Sequence, residues 1–272
     1  MPVEPIRPGP AVSCFPGGHA AARLATWVRL GYEYAVFFLG LLLPAAPLLA
    51  WNMLAALASR VLPCRIGAVL GRRVIMLTCR AYLFALTRSG LIKLDLDVLD
   101  ALRDERSLII APNHPALLDV VLMVSRLPHA VCIMKAALGE NVLLSGAVGL
   151  AGYIRNDSAV ATIRRASMTV RAGGQLLIFP EGTRTTRKPV NRFKGGFALI
   201  AKTARVPVQT VFIETNSPFL SKGWPIFRKP EFPLIYRARL GRRFEVDGEV
   251  RAFVADMESY YRGALTSRLP AA

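Results

Sequence analysis

Leu108-Ile109-Ile110-Ala111-Pro112-Asn113-His114-Pro115-Ala116-Leu117-Leu118-Asp119 is the stretch on which the fold reading turns. Its opening apolar run predicts a buried strand. The chain then turns polar, and Pro115 suits a first helical position, where a missing N–H leaves nothing unpaired. His114 therefore falls where a strand gives way to a helix, with Asp119 close behind. Open α/β sheets bind ligands at the carboxyl ends of their strands, so both residues are expected at the mouth of a site. The arrangement recurs in Gln175-Leu176-Leu177-Ile178-Phe179, followed by Pro180-Glu181-Gly182-Thr183-Arg184. Two strand-end loops with complementary chemistry predict one shared pocket.

Outward from these loops, strand-like and helix-like segments alternate. Strands are predicted at 108–111, 130–134, 152–155, 176–179, 208–213 and 234–240, and amphipathic helices at 115–126, 159–171 and 195–204. That order predicts an α/β fold with a mostly parallel central sheet. Residues 91–272 are expected to be a single catalytic domain, 31–90 a membrane-associated helical segment, and the Pro- and Gly-rich residues 1–30 a disordered or basic tail.

A histidine and an aspartate in one strand-end loop can make a general base with an orienting carboxylate. The neutral imidazole takes a proton at one nitrogen while Asp119 holds the tautomer from the other side. No G-x-S-x-G elbow and no Cys-His-Asn signature is present, so the reading needs no covalent intermediate. The attacking hydroxyl would be the substrate's own.

Asn113-His114 through Asp119 spells N-H-x-x-x-x-D, and residues 179–184 spell F-P-E-G-T-R. Together they resemble the hallmarks of the PlsC-type glycerophosphate and lysophospholipid acyltransferases, a resemblance running roughly from Leu91 to Leu240. Gly152-Tyr153-Ile154-Arg155 and Val206-Pro207-Val208 are weaker elements in the same order. The resemblance implies His114 as catalytic base, Asp119 as its partner, and Glu181, Gly182, Thr183 and Arg184 as contacts to the acceptor's polar head. Arg184 also fits on physical grounds, because a guanidinium fork matches phosphate in bidentate fashion. Asn113 is expected to position the loop or polarise a carbonyl, and Arg155 and Lys135 are further candidates for the substrate pocket. The middle motif, Gly152-Tyr153-Ile154-Arg155-Asn156-Asp157, departs from the family pattern G-x-I-F-I-x-R. That departure leaves the acceptor open between 1-acylglycerol-3-phosphate, another lysolipid and a non-glycerolipid. A lipid esterase is the rival chemistry.

Composition points towards an acidic partner. The 272 residues carry a formal net charge of +17, with a positive mean hydropathy of +0.38. Basic residues crowd Arg184 to Arg205 and Lys222 to Arg243, interleaved with aromatics. That pattern also suits nucleic acid. The segment Tyr34 to Ser59, which carries no charge, argues against it and for anionic membrane lipids. Pro44 and Pro47 near its centre predict a helical hairpin dipping into one leaflet rather than a straight span, with both basic flanks on the cytoplasmic face, the bacterial inner membrane if the source is bacterial.

Four cysteines without C-x-x-C spacing and three histidines offer no zinc pattern, so no metal is expected. No Gly-rich nucleotide fingerprint is present. No cofactor is expected beyond the donor substrate, acyl-CoA or acyl carrier protein. The reading is a membrane-associated O-acyltransferase acting on a lysolipid acceptor, its oligomeric state open.

Overall fold

The computed structural model describes residues 17–42, 44–136, 141 and 144–267, with side chains from residue 21 onward. Helices α1 (Gly17–Leu42), α2 (Ala45–Val61) and α3 (Cys64–Arg88) come first, with Pro44 and Pro63 at the N-caps of α2 and α3. Proline there fixes the backbone while removing an N–H that the first turn does not use. Helix α1 begins at Gly17, so residues 17–30, expected as tail, are helical, as the good helix formers Ala20-Ala21-Ala22-Arg23-Leu24-Ala25 favour. Residues 1–16 of the expected tail lie outside the described residues.

After α3 come β1 (Ile92–Asp95), a 3₁₀ turn (Asp97–Leu102), β2 (Leu108–Pro112), α4 (Asp119–Arg126), β3 (Ala130–Lys135), α5 (Ser145–Leu150) and β4 (Ile154–Asn156). Helix α6 (Ala159–Arg171), β5 (Gln175–Leu177), α7 (Gly196–Ala204), β6 (Val208–Thr215), β7 (Leu234–Phe244) and α8 (Val250–Thr266) complete the chain. The seven-stranded sheet has the order β1-β7-β6-β2-β5-β3-β4. Every pairing is parallel except β6 with β7. The fold is thus α/β with a mostly parallel sheet, and β2 lies near its middle.

Period-two alternation sorts the strand side chains into two cores. Leu108, Ile110, Cys132, Leu177 and Ile213 face α3 and α4, packing with Leu83, Leu122 and Met123. Ile109, Ala111, Val131, Leu176 and Phe212 face α6, α7 and α8, packing with Ala166, Val170, Phe197 and Tyr261. Helix α3 therefore packs on the catalytic layers through Leu83. Its Met76 and Leu83 are buried, while Arg73, Arg80 and Arg88 are exposed together with Ile66, Val69, Leu77 and Phe84.

Helix α1 lies alongside α3, tied by Tyr32 Oη to the Ser89 carbonyl at 2.8 Å and by Tyr82 Oη to the Gly40 carbonyl at 3.2 Å. Helix α2 rests on α5, where a Cβ added to Gly146 would stand 2.3 Å from the Asn52 carbonyl oxygen. Only glycine permits that approach. The run Ala21–Val61 is long and apolar enough to cross a membrane, with a mean hydropathy of 1.9 in its most apolar window, and little of that window is buried.

Candidate active site

Strand β2 ends at Pro112, and Asn113 carries its pairing one step further with a side chain. Asn113 Nδ2 donates to the Ile213 carbonyl at 3.0 Å, and Oδ1 accepts the Ile213 N–H at 2.7 Å. The amide thus imitates a ladder rung to β6 and fixes the chain just before His114. The amide is buried with both ends bonded to Ile213, and it holds the loop in place.

Residues 115–118 form a turn, and the helix expected from Pro115 begins at Asp119. Hydrogen bonds leaving this segment explain the delay: Leu117 N–H donates to the Leu220 carbonyl at 3.0 Å, and Ala116 N–H donates to Asp119 Oδ2 at 2.7 Å. The turn brings Asp119 back beneath the histidine. His114 Nδ1 lies 2.9 Å from Asp119 Oδ2, with the imidazole 12% exposed and the aspartate side chain 0%. Burial pushes the Asp119 carboxyl above its ordinary range, opposed by the hydrogen bonds from His114 and the Ala116 N–H. Its other oxygen, Oδ1, is buried with no partner among the described residues, consistent with that cost.

On its flank the imidazole stacks on Phe179, ring centroids 4.0 Å apart and planes 23° from parallel. Sequence reasoning took Phe179 only as the end of a strand; the aromatic residue opening F-P-E-G-T-R was the available signal. With Nδ1 and one ring face occupied, Nε2 on the far side of the ring meets no protein partner among the described residues. That nitrogen is free to take a proton from outside.

Glu181 sits between the two loops, 1% exposed. Oε1 accepts the His114 N–H at 2.9 Å and the Thr185 hydroxyl at 2.8 Å, and Oε2 accepts the Asn191 N–H at 2.8 Å. A carboxylate so buried and so bonded holds the two loops together. Thr185 N–H donates back to the His114 carbonyl at 2.7 Å, closing the loops on each other. Neither Thr185 nor Asn191 carried a sequence signal.

Gly182 turns this loop at φ +66°, a left-handed backbone that suits glycine, and lies exposed beneath the Lys194 side chain. Thr183 is half-buried, and the N–H groups of Thr183 and Arg184 meet no acceptor among the described residues. Arg184 Nη1 donates to the carbonyls of Leu220 and Ser221, at 2.9 and 3.1 Å. Its Nε and Nη2 stay uncommitted among the described residues.

The remaining candidates lie further along the same sheet edge. Lys135 is exposed at the end of β3, two strands from β2, or roughly 10 Å at the usual strand spacing. Arg155 is on the edge strand β4, opposite Met134, with its Nε 3.3 Å from Asp157 Oδ1. Neither is brought into contact with His114.

Residues 93–214 match the family described as Acyltransferase. Among similar proteins, the human 1-acyl-sn-glycerol-3-phosphate acyltransferase beta is 30% identical over 128 residues, 43% of this chain and 45% of its own length. The mouse 1-acyl-sn-glycerol-3-phosphate acyltransferase alpha is 26% identical over 132 residues, 45% of each chain. The chain thus spans about half the length of these relatives. The crystal structure of PlsC from Thermotoga maritima, a 1-acyl-sn-glycerophosphate (LPA) acyltransferase, superposes with a TM-score of 0.64 at 19% identity, over 90% of this chain and 99% of that one. That likeness shows a shared fold.

Proposed function

We propose that this chain, whose residues 93–214 match the family described as Acyltransferase, moves a fatty acyl chain from a thioester, acyl-CoA or acyl carrier protein, to a hydroxyl of a lysophospholipid-like acceptor. 1-Acylglycerol-3-phosphate is the leading acceptor. The observation that carries the proposal is the His114 Nδ1 to Asp119 Oδ2 contact at 2.9 Å with Nε2 left open.

In the proposed reaction the acceptor oxygen attacks the thioester carbonyl carbon as His114 Nε2 takes its proton. Asp119 Oδ2 holds the proton on Nδ1 and balances the imidazolium. The negative charge that develops on the carbonyl oxygen is met by backbone N–H donors, for which those of Thr183 and Arg184 are available. Collapse breaks the C–S bond, and the departing sulfur receives the proton from Nε2. An ester and a thiol result, with the histidine returned to its starting state.

Headgroup recognition falls to Arg184, whose free Nε and Nη2 can make a paired contact to a phosphate while Nη1 stays on the Leu220–Ser221 backbone. The apolar run Ala21–Val61 supports association with a membrane. Its basic flanks favour the anionic cytoplasmic leaflet.

The test is acyl transfer by membrane-embedded protein, wild type beside His114→Ala, with acyl-CoA and acyl carrier protein donors and a panel of lysolipids read by mass spectrometry. A defined acylated lysolipid, absent from the variant, is the expected result. Full transfer by a folded variant sinks the base assignment, and free fatty acid without acylated lipid sinks the transferase.

A further inference from the structure

The connection between β6 and β7, residues 216–233, is built like a bracket. Asn216 closes its base, donating from Nδ2 to the Pro233 carbonyl at 3.0 Å and accepting the Ile235 N–H at 2.8 Å. On the catalytic side, the Leu220 carbonyl takes hydrogen bonds from the Leu117 N–H and Arg184 Nη1. On the opposite side, Lys229 Nζ pairs with Glu33 Oε2 of α1 at 2.7 Å, and Phe219 meets Phe37 of α1 edge to face at 6.1 Å.

From this bracket a tight turn projects. Arg228 N–H bonds the Pro225 carbonyl at 2.9 Å, and Trp224 Nε1 bonds the Arg228 carbonyl at 3.0 Å, so the turn is firmly shaped. Its apex residues are Ile226, 51% exposed, and Phe227, 72% exposed. Turn apices ordinarily carry glycine, asparagine or aspartate, which water welcomes. Here two large apolar side chains are held out instead, flanked by exposed Lys222 and Arg228. Apolar residues at a projecting tip with cations around them complement an interface of acyl chains beneath anionic headgroups.

The geometry points to this turn as a second bilayer contact, in which Ile226 and Phe227 insert among the lipids and Lys222 and Arg228 meet anionic headgroups. The tie of Lys229 to Glu33 sets the contact beside the start of the apolar run of α1, making one continuous surface. The same connection holds Arg184, so contact with lipid at the turn bears on the acceptor side of the site. The inference rests on the membrane association proposed above, and its test separates the two.

Full-length protein is reconstituted into phosphatidylcholine vesicles containing phosphatidylglycerol, with shallow-brominated phosphatidylcholine as the fluorescence quencher. One chain carries Trp27→Phe, Trp51→Phe, Trp224→Phe and Phe227→Trp, leaving its only tryptophan at the apex. A second carries Trp51→Phe and Trp224→Phe, so that Trp27 alone reports on α1. Quenching in both is expected. Quenching of Trp27 without quenching at the apex overturns the second contact. Quenching in neither overturns the membrane association together with it.

Phe227→Asp in the native background provides a check that needs no tryptophan replacement. The vesicle concentration giving half-maximal transfer is expected to rise roughly tenfold, as loss of one inserted aromatic implies. The rate on a short-chain acceptor dissolved as monomer stays at the wild-type value. An unchanged vesicle dependence overturns the contact.

Discussion

Glu181 Oε1 accepts the backbone N–H of His114 at 2.9 Å. One hydrogen bond therefore joins the two hallmark loops, and the glutamate of F-P-E-G-T-R holds the backbone of the base. Glu181→Ala would leave the N–H groups of His114 and Asn191 and the Thr185 hydroxyl without their acceptor. Each buried orphan costs about 1–3 kcal/mol. The expected outcome is a clear fall in Tm and in kcat, with little change in acceptor KM. A selective rise in KM at unchanged Tm would return Glu181 to the substrate.

His114 and Asp119 act as a unit, so their losses should not add. His114→Ala is expected to lower kcat by about 10²–10⁴. Asp119→Ala should come close to that figure, and the double variant should be scarcely worse than His114→Ala alone. Steady-state kinetics on all three variants checks the cycle. Multiplying losses would mean that Asp119 acts apart from the histidine.

Arg184 offers a specificity test. Removing the guanidinium should raise KM for a phosphate-bearing lysolipid by roughly tenfold or more, about the 1.5–3 kcal/mol of a charge-assisted hydrogen bond. A phosphate-free acceptor should be affected far less. Arg184→Lys should recover charge without the fork and fall between the two. Equal losses on both acceptors would show that the ties to Leu220 and Ser221 dominate its role.

The parts of this site most legible in the sequence were those governed by local pattern. The apolar run 108–111 and the loop after it placed His114 at the end of β2, and helix α6 has the predicted limits of 159–171. Helix α8 escaped that reading, although its Tyr261 hydroxyl donates to the Ala111 carbonyl and accepts the Val211 N–H beneath the site. Nothing local in 250–266 announces a partner on β2. Strand β1 was missed because it is short and half-exposed. The hydrogen bonds of Asn113 and Glu181 were out of reach for a related reason. A polar side chain beside a catalytic residue looks like a ligand contact in sequence, and only the folded chain shows its hydrogen bonds spent on backbone 100 and 67 positions away.

Gly182 gives a test of backbone strain in the same loop. An added Cβ would lie 2.8 Å from Lys194 Cδ, the flexible part of a side chain that can move aside. The cost of Gly182→Ala should therefore be conformational, about 1–2 kcal/mol for a residue other than glycine at φ +66°. A drop in Tm with near-normal acceptor KM is expected. A larger loss that Lys194→Ala relieves would place the cost in the contact.

Asp119 makes a pH prediction whose sign follows from its burial. Desolvation, the larger influence, raises the carboxyl above its ordinary 3.8, against the opposing pull of His114 and the Ala116 N–H. An acid with a higher pKa folded than unfolded takes up a proton on folding. Its stabilising contribution is whole below the unfolded pKa and fades as pH rises through the folded one. Asp119→Asn removes this titration. Urea unfolding from pH 3 to pH 8 should show the variant gaining on the wild type as pH rises from about 4, even as its kcat is reduced throughout. A difference that instead moves towards the wild type with rising pH would mean that pairing with His114 outweighs desolvation, and the charged pair would then be a net source of stability.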